Sequence, residues 1–228
     1  MPENRATFSA WKPVQLPGPV TLRGRYVALE PLDAMRHAAA LWEAVREHDE
    51  LWTWLADGPY ASEAGLTEAV AKKQAATDAV FLAIVPAATG LAAGYASYMR
   101  MERVHGVVEV GNILLTPALQ RTTAATEAMY LMARHVFEDL GYRRYEWKCT
   151  VENAPSRRAA QRLGFVFEGI FRQHMVVKGR NRDTAWFSML DGDWPARKRA
   201  FEEWLKSENF DGEGRQRQSL RQLSAADA

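Results

Sequence analysis

Asn153-Ala154-Pro155-Ser156-Arg157-Arg158-Ala159-Ala160-Gln161-Arg162-Leu163-Gly164-Phe165-Val166-Phe167-Glu168-Gly169 reads as a capped helix, a glycine stop and the start of a strand. Asn153 can accept hydrogen bonds from the first free N–H groups, Pro155 suits the first turn, and Gly164 ends the helix where left-handed geometry is needed. Upstream, Leu115-Thr116-Pro117-Ala118-Leu119-Gln120-Arg121-Thr122-Thr123-Ala124-Ala125-Thr126-Glu127-Ala128 passes from a strand through a small-residue loop into a long amphipathic helix. A strand that feeds a loop and then a helix start can gather several N–H groups at one point, where the helix dipole favours an anion.

The rest of the chain places these segments in one domain. Its 228 residues, 47% of them hydrophobic, can bury one substantial core. Lys and Arg number 29 against 28 Asp and Glu, a formal charge of +1, so no global field draws in nucleic acid or an anionic membrane. Cys149 is the single cysteine and excludes an intrachain disulfide framework. It lies in the strand-like run 145–151, where a buried thiol is favoured over a nucleophile because no partner base fits it. No basic-then-apolar leader pattern is seen, and no apolar run approaches the ~20 residues that span a bilayer, so a cytoplasmic protein without membrane contact is expected.

Pro2, Pro13, Pro17 and Pro19 around Trp11 make residues 1–20 an extended arm. The main domain is expected over 21–192, a last helix over 193–206 and a polar, mobile tail over 207–228. Within the domain a strand is expected at 22–29, a helix at 34–48, a second near 66–76, and strands at 80–85, 91–101 and 107–115. A long helix follows at 121–140, then a strand at 145–151, the Asn153 helix, and strands at 165–177 and 184–190. This is a mixed α/β pattern, a central sheet of about six to seven strands flanked by helices.

That order and the two quoted segments resemble the GCN5-related N-acetyltransferases, most closely their ribosomal-protein N-acetyltransferase branch. The likeness covers about residues 20–192 and rests chiefly on Asn153, Ser156, Leu163-Gly164-Phe165 and Glu168-Gly169; Thr126-Glu127-Ala128 and Glu109-Val110-Gly111 also match in register. It implies a splayed mixed sheet and acetyl-coenzyme A as co-substrate, with no metal. Two departures change the chemistry. Thr123 stands where the phosphate loop's first glycine is expected, and threonine disfavours positive φ. Ala160 replaces the tyrosine that serves many members as the acid for the leaving thiolate.

The resemblance further implies that pantetheine lies between parted strands, bound by main-chain groups of Ile113, Leu114 and Leu115, one of which could polarise the thioester carbonyl. The pyrophosphate is expected on Gln120, Arg121, Thr122, Thr123, Ala124, Ala125 and Thr126. Glu109 shares strand parity with Gly111, Ile113 and Leu115, so it is a candidate base for the amine; pairing with an arginine is the structural alternative. Ser156 is a candidate to hydrogen-bond the leaving sulfur or else to bond locally at the helix start, and Asn153 to cap the helix, contact pantetheine, or do both. Trp52, Trp54 and Tyr60, in a stretch too aromatic for an ordinary loop, are candidate acceptor-binding residues or packing for the first two helices. His174 is a weaker candidate at the acceptor, and Asp183 is expected to pair with Arg182.

The leading expectation is therefore direct transfer of an acetyl group, within a ternary complex, to a primary amine on a small molecule, peptide or protein N-terminus. A non-catalytic module that binds acyl-coenzyme A is the alternative, and acetyl transfer through Cys149 a less favoured route. The arm and the last helix could pack against a second subunit to form a homodimer.

Overall fold

The computed structural model describes residues 10–226. In chain order the elements are β1 (Leu22–Arg23), β2 (Val27–Pro31), α1 (Ala34–Val45), α2 (Glu63–Gln74), β3 (Ala79–Pro86), β4 (Gly94–Glu102), β5 (Val107–Leu115), α3 (Thr123–Arg134), β6 (Arg144–Thr150), α4 (Ala154–Arg162), β7 (Val166–Val177), β8 (Arg180–Leu190), α5 (Trp194–Trp204) and α6 (Leu220–Ala226). The strands form one sheet in the order β1-β2-β3-β4-β5-β6-β8-β7. β5 and β6 pair in parallel and the other neighbours are antiparallel, which makes the sheet mixed.

The sheet has eight strands rather than the six to seven expected, because the first strand breaks at residues 24–26. The cause is Glu127, a buried carboxylate on α3 that accepts the N–H groups of Arg25, Tyr26 and Val27 at 2.9, 2.6 and 3.0 Å. A side chain on Gly24 would put its Cβ 2.3 Å from Glu127 Cδ, so only glycine fits the turn that wraps this carboxylate.

Each face of the sheet carries its own core. Leu29, Leu82, Tyr98, Val108 and Val110 pack with the buried side of α3 and with Ala160, Phe201 and Trp204. On the opposite face Ala83, Val85, Tyr95 and Leu114 meet Leu41, Leu66 and Val70 of α1 and α2. The long helix is shorter than expected: α3 ends at Arg134 and continues as one π turn, His135–Asp139.

One bulge decides where the site lies. Ser97 pairs with Gly111 but Tyr95 pairs with Leu114, so β5 carries one extra residue, and Asn112 takes it up at φ 50°. Parity therefore reverses within β5. Val108 and Val110 face the α3 core, yet beyond the bulge Ile113 and Leu115 pack on that same side while Leu114 turns to α1 and α2. The shared face expected for Glu109, Gly111, Ile113 and Leu115 does not exist, because the period of two fails at a bulge. Pairing of β5 with β6 runs only from Val107↔Arg144 to Val110↔Trp147, and past that point the strands part.

Residues 207–226, expected as a mobile tail, fold back on the domain. Phe210 sits edge-on to Trp204 with centroids 5.1 Å apart, Trp204 Nε1 donates to Gln216 Oε1 at 2.8 Å, and Leu220 is buried. At the other end, Trp11 Nε1 donates to the Val104 carbonyl at 2.8 Å, so the described part of the arm lies along the β4–β5 turn; residues 1–9 of that arm are outside the described residues. Trp194, Phe201 and Trp204 of α5 are buried in the chain's own core. No helix among the described residues is long and apolar enough to cross a membrane.

Candidate active site

Two cavities open where β5 and β6 part, and Ile113 and Trp147 line both. The larger, about 590 Å³, lies on the α3 side. Its floor is Ile113, Leu115 and Met129, one wall is the start of α3, and the other is formed by Trp147, Ala159, Arg162, Leu163, Trp204, Phe210 and Gln216. The entry to α3 is built by local hydrogen bonds. Thr116 Oγ1 donates to the Ala93 carbonyl at 2.7 Å, Gln120 Nε2 donates to the Leu115 carbonyl at 2.9 Å, and the Thr122 side chain caps Ala125 N–H at 3.1 Å.

The left-handed residue of this loop is Arg121, at φ 61°, and Thr123 is already the first helical residue. A threonine there meets no positive-φ demand, so this departure from the family pattern leaves the loop's shape intact. Thr123 and Ala124 N–H have no acceptor within the helix and stand at its positive end. Arg121, Thr122, Thr123, Ala125 and Thr126 line the cleft; Gln120 and Ala124 do not, and Gln120 serves the loop instead. Leu114 is buried in the α1–α2 core. Arg162 donates to Thr126 Oγ1 at 3.2 Å and lies 4.9 Å from the Trp204 ring, and burial pushes its guanidinium pKa down.

The smaller cavity, about 270 Å³, lies on the α1–α2 side. Trp54 and Leu55 from the loop after α1, Met175 and Val177 from β7, and Arg182 from β8 close it over β5 and β6. Lys178, at the β7–β8 turn, donates to the Trp52 carbonyl at 2.8 Å and ties the hairpin to that loop. Glu109, 3% exposed, is held between Arg100 Nη1 at 2.7 Å and Lys148 Nζ at 2.9 Å. Lys148 also meets Glu146 at 2.7 Å, and Arg144 continues the chain to Glu146 and Glu168. Arg100 is itself left-handed, at φ 47°, in a second irregularity of the β4–β5 ladder. Such conformations in non-glycine residues are costly, and here Arg100, Asn112 and Arg121 all line the two cavities.

Asn153 and Ser156 line the smaller cavity at the start of α4. Asn153 Oδ1 accepts Ser156 N–H at 3.0 Å, and Ser156 Oγ accepts Trp147 Nε1 at 3.0 Å, so the hydroxyl still has its own proton to donate. Cys149 lies within hydrogen-bonding reach of that hydroxyl; burial raises its thiol pKa, and the Ser156 bond only partly offsets this. Ala160 is fully buried, so no side-chain acid enters from its position.

The three aromatic candidates separate. Trp54 is 42% exposed and lines the cavity, whereas Trp52 is buried and packs edge-on against Tyr60 with centroids 5.0 Å apart. Tyr60 donates to Asp57 Oδ2 at 2.6 Å and borders a different groove beside α2; burial and then that carboxylate raise its pKa. His174 is exposed outside the cavity, hydrogen-bonded with Thr184 Oγ1 at 3.0 Å and packed against Phe171 and Trp186. Asp183 does not pair with Arg182: it accepts Gln173 N–H at 2.7 Å and Asn181 Nδ2 at 2.9 Å. Reading the sequence alone missed Arg100, Asn112 and Lys148; Arg182, which with its neighbouring arginines was open to the 3′-phosphate of coenzyme A or to an acidic acceptor, lines the smaller cavity. Gly111-Asn112 was the available signal for the bulge, since asparagine tolerates left-handed geometry better than most residues.

Comparison with known proteins agrees with this fold. A family model described as "Acetyltransferase (GNAT) domain" matches residues 27–166. A crystal structure of a GCN5-related N-acetyltransferase from Brucella melitensis is 48% identical, with 94% of this chain and 98% of that one covered at a TM-score of 0.92. The Bacillus subtilis (strain 168) protein named "Putative ribosomal N-acetyltransferase YdaF" is 27% identical over 109 residues, 48% of this chain; the match spans 59% of that relative's length. The Salmonella typhimurium acetyl transferase described as modifying the N-terminal serine of 50S ribosomal subunit protein L7/L12 shares the fold at 20% identity and a TM-score of 0.65, with 75% of this chain and 99% of that one covered.

Proposed function

This chain belongs to the acetyltransferase (GNAT) family, and from that premise we propose that it is an acyltransferase that moves an acetyl group from acetyl-coenzyme A to a primary amine by direct attack. The observation that carries the reading is the parting of β5 from β6 after Val110↔Trp147, which joins a large cleft at a helix start to a small charged cavity. Thr123 and Ala124 N–H, with Arg121, suit a pyrophosphate, and unpaired main-chain groups of β5 beyond the bulge suit the amides of a pantetheine arm. Coenzyme A supplies the thioester.

The chain's own residues manage two protons and one developing charge. Three cations, Arg100, Lys148 and Arg182, line the small cavity against one carboxylate, Glu109. Glu109, the carboxylate among the residues lining the small cavity, takes the amine proton directly or through water while Arg100 and Lys148 hold it in place. As the C–N bond forms and the C–S bond breaks, a main-chain N–H of β5 holds the carbonyl oxygen and the Ser156 hydroxyl hydrogen-bonds the departing sulfur. The buried thiol of Cys149, with its raised pKa, is a poor nucleophile for an acyl-enzyme route.

Calorimetric titration with acetyl-coenzyme A, followed by thiol release over a panel of amines, tests the proposal. Binding with turnover supports it. Binding without turnover on any amine would make the protein an acyl-coenzyme A binding module, and no binding would remove the cleft's assignment.

A further inference from the structure

Among the described residues the Arg182 side chain has no hydrogen-bond or ion-pair partner, in a site whose other charges are paired. Arg100 and Lys148 spend their charge on Glu109, and Lys148 also on Glu146. Arg182 lines the same cavity, half-buried, with its Nε shielded from solvent and without an acceptor. Asp183, next in sequence, is turned outward to Gln173 and Asn181, and Glu109 is occupied by its two other cations. A guanidinium removed from water without a carboxylate is costly, and its fork of donors fits a carboxylate or phosphate in bidentate fashion. Burial and the nearby charge of Arg100 weaken its hold on its own proton, which is the expected condition of a cation awaiting a counter-ion.

We infer that the acceptor amine carries a compact oxyanion close to its amino group, and that Arg182 binds that oxyanion. This assignment rests on the acetyl-transfer reading and narrows it to a substrate class. The cavity's volume, about 270 Å³, lies just below the usual range for drug-sized ligands, which suits an acceptor whose anion and amine are only a few bonds apart. Trp54, Leu55, Met175 and Val177 supply an apolar wall beside the charges, which suits an amino-acid-like molecule with an apolar side chain. The anion also offsets the cavity's surplus positive charge while the amino group, directed at the junction near Ile113 and Trp147, meets the thioester.

Matched acceptors test this: L-leucine, L-leucinamide, and the aminophosphonate analogue of leucine, each assayed for kcat/KM by thiol release with wild type, Arg182→Ala and Arg182→Lys. Leucinamide has the more readily deprotonated amine, so a preference for the acid cannot arise from amine basicity. The expected result is about a hundredfold preference for an oxyanion-bearing acceptor over leucinamide, carried in KM, which falls to near unity in Arg182→Ala with the KM for acetyl-coenzyme A unchanged. Arg182→Lys retains part of it, because a point charge cannot replace the fork. Whether the carboxylate or the phosphonate is preferred identifies the anion. Equal or better use of leucinamide by wild type, or a preference that survives Arg182→Ala, would overturn the inference while leaving acetyl transfer standing. Absence of acetylation on every amine, with acetyl-coenzyme A still bound, would overturn the transfer reading and this assignment with it.

Discussion

The two cavities that meet at Ile113 and Trp147 are built from different chemistry. The large cleft presents main-chain groups, a helix start and an apolar and aromatic wall, with Arg121 and Arg162 at its edges. The small cavity presents charged side chains fixed by a network that runs from Arg100 through Glu109, Lys148 and Glu146 to Arg144 and Glu168. A backbone-built site tolerates changes of side chain, so Thr123 at the start of α3 is compatible with the phosphate site proposed there. A side-chain-built site changes specificity with single substitutions, so the acceptor is encoded in a handful of positions drawn from β4, β5, β6, β8 and the loop after α1.

Substitutions on either side should separate these functions. The largest effect is expected for Glu109→Gln: turnover falls about a hundredfold and falls most at low pH, where free amine is scarce, while acetyl-coenzyme A affinity is retained. An unaltered pH–rate profile would remove Glu109 as the proton acceptor. Next, Thr123→Asp places a negative charge beside the proposed pyrophosphate position at a helix start that otherwise welcomes it; acetyl-coenzyme A affinity should drop on the order of tenfold by calorimetry, with the melting temperature held or raised. If affinity is untouched, the α3 start is not the phosphate site. On the acceptor side, Trp54→Ala should raise the acceptor KM roughly fivefold and leave that of acetyl-coenzyme A alone, as expected for a rim aromatic. Equal changes in both would mean that the cavities do not discriminate as their construction implies.

The smallest effect concerns the far end of the charge network. Arg144 Nη1 and Nη2 donate to Glu168 at 2.8 and 2.6 Å, and these bonds, reinforced by Ser188, hold the Glu168 pKa below its ordinary value. A depressed carboxylate contributes stability that is fully present above the unfolded pKa of about 4.3 and is lost as pH falls through the folded value. Glu168→Gln should therefore lower the melting temperature slightly near neutrality and flatten its decline below about pH 4; an unchanged acid limb would show that the pair adds nothing to folding.

Much of the fold was legible because the punctuation was strong. Asn153, Pro155 and Gly164 bracket α4, Ser62 caps α2, and Lys178-Gly179 makes the tight turn between β7 and β8 at φ 48° and 72°. The loop and α4 start were legible for the same reason. What the sequence concealed depended on contacts between distant segments. The break between β1 and β2 needs Glu127, about a hundred residues away. The bulge at Asn112 replaces a period-two pattern that looked unbroken, and it moves Ile113 and Leu115 to the other face. The segment after Lys206 is polar in composition, and only its docking on Trp204 reveals Phe210 and Gln216 as a wall of the large cleft and Leu220 as part of the core. In the aromatic stretch 51–60, local sequence could not divide Trp52, which fills the core beneath Gly58, from Trp54, which faces the cavity.

An amide-resolved NMR titration with coenzyme A addresses the parted strands most directly. The amides of Ile113, Leu115, Thr123 and Ala124 should shift together and saturate at one equivalent, while those of α1 and α2 stay in place. Shifts confined to other surfaces, with these four amides unmoved, would contradict a thioester carrier seated between β5 and β6.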